Sequence, residues 1–379
     1  MNVSLGPLDL LIFQSTSFCN LDCKYCYLPN RSKNLKINLS VIEKTLNNII
    51  ESNIIKDSFS IVWHAGEPMV VGIDFYREVN ILIKNIIPEH IKVTQHIQTN
   101  ATLINDDWCL FFKETNMRVG VSVDGPEHIN DKNRLDLKKR GTFARVIKGI
   151  KNLEKHDIKY SAIAVLTDYS INYPTEIYNF FKSLKGLRSV GFNVDEEDGI
   201  NLKSTITEDH KTKLKEFWGK IFEFQTVKDN YIHVREIFGF NEFFLRTDFN
   251  RKKLLSNHML QPLGIVTVDT NGDFTTFSPE LIGMEDKTYD DFNFGNINVD
   301  LLKDIVKNQK FQRVFKEIVQ GVKKCKSECD YYQFCGGGAP SNKLYENGTF
   351  NSTETKFCKY TKQVQVDAFL DVMQNQLSC

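Results

Sequence analysis

The chain has 379 residues, 41% hydrophobic and 25% charged, with 48 Lys and Arg balanced by 48 Asp and Glu. That length allows two domains or three small ones, and a formal charge of zero argues against the broad basic surface that duplex nucleic acid requires. No apolar run approaches the ~20 residues of a membrane span, and the first thirteen residues lack the basic stretch and cleavage site of a signal peptide, so the expectation is a cytoplasmic protein with no nucleic-acid and no membrane partner.

Residues 9–14 read as a short buried strand, followed by a polar, turn-prone stretch to residue 36. Val41, Ile42, Leu46, Ile49 and Ile50 then recur with a helical period. The alternation continues: strand 58–63, helix 74–87, strand 91–98, a helix to about Thr115 capped by Asn105, strand 118–123, helix 142–156, strand 159–166, helix 173–184 and strand 188–194. Six strand-then-helix units result, the sixth incomplete. Such repeats imply parallel strands with helices packed outside. A closed barrel, an open barrel and a doubly wound sheet all fit, and in each of them ligands gather at the C-terminal strand ends. Cys19 to Cys26, Gly66-Glu67-Pro68, Thr99-Asn100, and Ser122 with Asp124-Gly125 fall at those ends. Beyond the repeats, 201–261 is charged and helical in pattern, 264–277 reads as a hairpin turning at Asn271-Gly272, and helices are expected over 300–320 and 359–377.

The nine cysteines are clustered, which in a reducing compartment favours metal binding over disulfides. Cys19, Cys23 and Cys26 are spaced C-x3-C-x2-C. Three thiolates can ligate three irons of a [4Fe–4S] cube and leave the fourth open, whereas electron-carrying cubes use four cysteines. Zinc or buried free thiols are the alternatives, and zinc would need a fourth ligand. Cys325, Cys329, Cys335 and Cys358 supply four thiolates, enough to close a site, and by spacing alone zinc and iron–sulfur fit equally. Cys109 reads as a buried helix thiol.

The triplet, preceded by Thr16-Ser17-Phe18 and containing Tyr25, resembles the signature of radical S-adenosylmethionine enzymes. The resemblance implies a partial (β/α)6 TIM-like barrel, in agreement with the strand count. It also implies an open iron that chelates S-adenosylmethionine, and a 5′-deoxyadenosyl radical that abstracts hydrogen from substrate, with the protein orienting both. Ala65-Gly66-Glu67-Pro68 matches the family's Gly-Gly-Glu-Pro, so Gly66 and Glu67 are expected at the cofactor amino group. Ser122 and Asp124 are expected at the ribose, Arg134 at the carboxylate, Asn193 and Val194 at the adenine, and Tyr25 and Asn100 among the further cofactor contacts.

The quartet, with Gly336-Gly337-Gly338-Ala339-Pro340 after Cys335, resembles the SPASM extension of peptide-modifying members. The hairpin contains no cysteine and Ala339 stands at another ligand position, so one auxiliary [4Fe–4S] cluster is expected, not two. The implied division is a barrel over 1–200, a bridging segment over 201–261, a SPASM-like domain over 262–362 and a C-terminal helix over 363–379. Further features, among them Tyr27-Leu28-Pro29-Asn30-Arg31-Ser32, Phe277-Ser278-Pro279-Glu280-Leu281 and Asn342-Lys343, resemble the GrrM-type maturases of ribosomally made peptides. That implies removal of a β-hydrogen and C–C crosslinking to an aromatic ring, giving a cyclophane. The auxiliary cluster would accept the leaving electron, and Glu280, Asp195 or Glu196 the proton. A precursor peptide and a one-electron reductant such as flavodoxin or ferredoxin are the expected partners. Only eight residues precede the first strand, so leader recognition is expected from the barrel, the bridging segment, the extension or another protein. The competing readings are sulfatase maturation to formylglycine, thioether crosslinking and, from another class, a zinc-binding interaction protein.

Overall fold

The structure, a computed structural model, describes residues 3–226, 231–245 and 257–377. Parts of the expected bridging segment, 227–230 and 246–256, lie outside the described residues, as does Cys379. Six parallel strands, β1 (Leu10–Phe13), β2 (Ser58–Trp63), β3 (Lys92–Thr99), β4 (Arg118–Ser122), β5 (Tyr160–Leu166) and β6 (Leu187–Val194), pair in chain order. Their connections carry α1 (Leu39–Glu51), α2 (Ile73–Ile86), α3 (Asp106–Thr115), α4 (Glu127–Asn133), α5 (Phe143–Lys155) and α6 (Pro174–Ser183). This is the partial α/β barrel that the resemblance implies, one of the three arrangements the repeats allow.

Period-two burial divides β2, β4 and β5 between helices and lumen, and in β5 every second residue is buried. Helix starts follow their caps. Asn38 accepts from the Ser40 N–H and Asn105 from the Trp108 N–H, and Asn116 ends α3 in the left-handed region. Outside the barrel wall, Trp63 stacks on Phe13 at 5.1 Å between centroids and meets Tyr76 edge-on at 5.2 Å. Because Trp63 is fully buried, W63A should cost about 3–5 kcal/mol in urea unfolding. The short α4 was not anticipated: within it only Ile129 and Asn130 turn inward, too few to mark a period.

After β6 come α7 (Lys211–Thr226) and α8 (Arg235–Leu245). The chain entering α8 closes on the outer edge of β6, where the Val190 N–H donates to the His233 carbonyl at 2.8 Å. The expected hairpin forms as β7 (Ile265–Val268) and β8 (Asp273–Thr276). β7 pairs in parallel with β1, so the hairpin extends the barrel's own sheet to nine strands with the two-residue strand Gly295–Asn296. α9 (Gln309–Glu328) starts later than the expected 300–320 helix, because the Asn308 side chain caps it by accepting from the Phe311 N–H. Leu302–Lys307 is a separate 3-10 turn. The short helices α10 (Tyr332–Cys335) and α11 (Pro340–Asn347) follow, and α12 (Val364–Leu377) packs on α7 with Phe222 and Phe369 5.3 Å apart. No helix among the described residues is long and apolar enough to cross a membrane.

Candidate active site

Cys19, Cys23 and Cys26 lie, partly buried, on the loop after β1. Backbone bonds from several directions hold that loop. The Cys19 N–H donates to the Arg31 carbonyl at 3.1 Å, Asp22 to Leu135 at 2.7 Å and Lys24 to Asn133 at 3.1 Å, while the Phe18 carbonyl accepts from the Glu67 N–H at 2.8 Å. Two donors aim at the Cys19 sulfur, the Leu21 N–H at 3.4 Å and Asn100 Nδ2 at 3.9 Å. Burial pushes the Cys19 thiol up to about 12 and the Cys23 thiol to about 11. As free thiols they stay protonated, and only a metal would make them thiolates. Three thiols on one loop, with a backbone and an amide donor aimed at one of them, fit the cysteine ligands of a [4Fe–4S] cluster.

Gly66 has a φ of 62°, and a Cβ there would stand 2.5 Å from the Phe18 carbonyl oxygen and 2.6 Å from that of Thr16. Glycine is what lets the segment after β2 lie against the cysteine loop. Ala65 has a φ of 70°, a conformation costing an L-residue about 1–2 kcal/mol. Even after the unfolded-state entropy that glycine adds, A65G should leave stability unchanged or raise it by up to about 1 kcal/mol, read by thermal unfolding. The Glu67 carboxylate accepts from Met69 N–H at 3.0 Å, Thr99 Oγ1 at 2.7 Å and Asn100 N–H at 2.8 Å, tying the ends of β2 and β3. Burial still pushes Glu67 up to about 7.

Asp124 sits at the centre of a buried network. It accepts from Tyr25 Oη at 2.6 Å, Arg134 Nε at 3.0 Å and the Val165 N–H at 3.1 Å. Arg134 also lies over the Tyr25 ring, 5.5 Å from its centroid. Three expected cofactor contacts thus form one unit beside Cys23. Ser122 faces the lumen and accepts from Gln98 Nε2 at 2.8 Å. Val194 is buried, whereas Asn193 is exposed and accepts from Arg235 at 2.9 Å. A cavity of about 800 Å³ opens beside the N-terminal ends of β4 to β6 and is lined by none of the expected site residues.

The expected carboxylates separate. Asp195 accepts from the Thr205 N–H at 2.8 Å, Thr205 Oγ1 at 2.7 Å and Asn201 Nδ2 at 3.0 Å, which fastens the loop after β6. Glu196 accepts from Asn342 Nδ2 at 2.9 Å, and burial pushes it up to about 8. Burial likewise pushes Glu280 up. Asp198 belongs to this group but was not anticipated: burial, then the charges of Glu280 and Glu196, push it up, and its Oδ1 is buried with no hydrogen-bond partner among the described residues. The acidic run Asp195-Glu196-Glu197-Asp198 at the end of β6 was the available signal. Tyr27 was also missed. It is half-buried, its hydroxyl meets His64 Nε2 at 3.3 Å, and its acidity is suppressed by desolvation and then by Glu280, Cys26 and Asp198. Burial holds His64 neutral, near 4.

Cys325 lies in the last turn of α9, Cys329 caps that helix, Cys335 ends α10, and Cys358 opens the turn before α12. All four line one enclosed cavity, which also includes Ala339 and Lys343. Gly336, Gly337 and Gly338 all have positive φ, which aims the Gly337 N–H at the Cys335 sulfur at 3.4 Å. The Thr355 N–H donates to the Cys358 sulfur at 3.0 Å. Backbone donors around a closed set of four thiols fit an iron–sulfur cluster.

Residues 13–181 match the model of the Radical SAM superfamily. The protein sll1766 of Synechocystis sp. is 38% identical over 99% of this chain and 94% of its own length. A serine-type anaerobic sulfatase-maturating enzyme of Bacteroides thetaiotaomicron is 27% identical over 98% of this chain and 92% of its own. Among solved structures, native anSMEcpe with bound S-adenosylmethionine superimposes with a TM-score of 0.77, at 23% identity, over 97% of this chain and 99% of that one.

Proposed function

Because the chain belongs to the radical SAM superfamily, and is therefore an enzyme rather than a zinc-binding interaction protein, we propose that it crosslinks a ribosomally made precursor peptide. In this reading a side-chain β-carbon is joined to an aromatic ring carbon. Cys19, Cys23 and Cys26 hold one [4Fe–4S] cluster, and the quartet holds one auxiliary cluster. When bound, the first cluster with S-adenosylmethionine supplies hydrogen-atom abstraction, and the second supplies a one-electron acceptor. Arg134 is the proposed partner of the cofactor carboxylate, Gly66 and Glu67 of its amino group, Ser122 and Asp124 of the ribose, and Asn193 and Val194 of the adenine. Tyr25 supports Arg134 through Asp124, and Asn100 supports Cys19.

The observation that carries the reading is the group of buried Asp198 with half-buried Glu196 and Glu280. On one side it bears on Tyr27, next to Cys26; on the other, Glu196 is held by Asn342 of α11, next to Lys343 in the quartet's cavity. Joining a carbon to an aromatic ring leaves a ring proton to be removed. Carboxylates raised toward neutrality between the two thiol sets suit that task. Glu280 is the proposed base, since its charge bears on Tyr27 more than any other, with Glu196 next. Asp195 is committed to its loop. Flavodoxin or ferredoxin is the proposed reductant.

The test is to incubate the reconstituted enzyme and reductant with peptides encoded by short reading frames beside its gene. Crosslinking predicts loss of two hydrogen atoms with no carbonyl formed, and E280Q should keep cofactor cleavage while losing most product. Unmodified peptides would sink the reading. A hydrazine-reactive aldehyde would favour sulfatase maturation, the second reading, which the nearly full-length similarity to a sulfatase-maturating enzyme supports.

A further inference from the structure

Lys343 is 4% exposed, and its ammonium lies 3.2 Å from the Cys325 sulfur. Lysine is almost never so buried without a partner, and an ammonium can only donate. Among the described residues no carboxylate pairs with it. A neutral thiol is a weak acceptor, so a buried cation held against this one sulfur is poorly compensated while Cys325 stays a thiol. It is well compensated once Cys325 becomes a metal-bound thiolate. The placement is built into the backbone. The Lys343 N–H donates to the Ala339 carbonyl at 3.3 Å in the first turn of α11, and the lysine stem runs past Gly338, 3.7 Å from where a Cβ would stand. Asn342, one residue earlier, reaches Glu196, so the same helix turn holds both groups.

We propose that Lys343 is the charge partner of the auxiliary cluster and raises its reduction potential by donating to the Cys325 sulfur. The inference rests on the reading that the quartet holds a [4Fe–4S] cluster. Four thiolates on such a core leave it net negative, and one added electron makes it more so without breaking a bond. A fixed cation against a ligand sulfur stabilises the reduced form more than the oxidised one. The cluster is thereby tuned to accept the electron released when the crosslinked ring regains aromaticity. Lys343 touches a cluster ligand and not the substrate, so it is a positioning residue.

The test uses full-length chains carrying alanine at Cys19, Cys23 and Cys26, reconstituted anaerobically, so that the quartet alone binds iron. Midpoint potentials are read by spectroscopic titration with dithionite as the electron source. K343M should lower the reduction equilibrium constant at least tenfold, which is 59 mV for a one-electron couple, and K343R should recover most of the loss. A K343M potential indistinguishable from that of the lysine protein overturns the proposal. Should K343M hold no iron, K343Q, a neutral donor, takes its place and must show the same drop. If K343Q also holds none while K343R does, the lysine serves cluster retention and the proposal is overturned. Lack of iron in the protein that keeps Lys343 would instead defeat the auxiliary-cluster reading itself, before any potential is measured.

Discussion

Replacing Cys19, Cys23 and Cys26 together by alanine is expected to lower bound iron from about eight to about four per chain, at four irons per cube, and to abolish cleavage of S-adenosylmethionine. Iron and sulfide assays after anaerobic reconstitution, beside product analysis, measure both. The fold should survive the change. The loop is held by backbone bonds from Cys19 to Arg31, Asp22 to Leu135 and Glu67 to Phe18, which alanine keeps. All three side chains are only partly buried, so the melting temperature of the iron-free protein should move little. A wild type with about four irons and a variant with none would leave the quartet without iron, and the proposed electron acceptor would be lost with it. A variant retaining all its iron would remove the triplet from the ligand set.

What the sequence revealed and what it hid follow from the range of each interaction. Strands β1 to β6 and the cap at Asn105 were legible because burial period and cap chemistry act within a few residues. The parallel pairing of Leu10 with Ile265 leaves no local mark, so the hairpin was legible and its place in the barrel's sheet was not. The Ala65-Gly66 pair was legible as a motif, but only the backbone angles show that Ala65 occupies a left-handed position. Nothing local to Asp198 or Tyr27 marks them as neighbours of Glu280; the fold brings their charges and dipoles together. The two cysteine sets were visible as spacings. That Lys343 reaches the Cys325 sulfur, 18 positions away, depends on the packing of α9 against α11.

The network of Tyr25, Asp124 and Arg134 carries the other large expected effect. The ion pair is deeply buried, with side chains 7% and 1% exposed and 3.0 Å apart. Removing the cation strands a carboxylate away from water, so R134M should destabilise the chain by about 3–5 kcal/mol in urea unfolding. D124N keeps one oxygen to accept from Tyr25 Oη or the Val165 N–H, and it removes the charge. Combined with R134M it should therefore recover part of the loss, giving an interaction energy of about 1–3 kcal/mol in the double-mutant cycle. Additive losses would mean that the pair is not coupled and that each side chain acts through packing alone. The double variant also separates folding from binding. It should remain folded at 25 °C, yet bind S-adenosylmethionine at least tenfold more weakly in equilibrium dialysis, because Arg134 is the proposed partner of the cofactor carboxylate and Asp124 of its ribose. Unchanged affinity in that folded protein would confine Arg134 to holding Asp124 and Tyr25 beside the cysteine loop, and the carboxylate contact would have to pass to another residue.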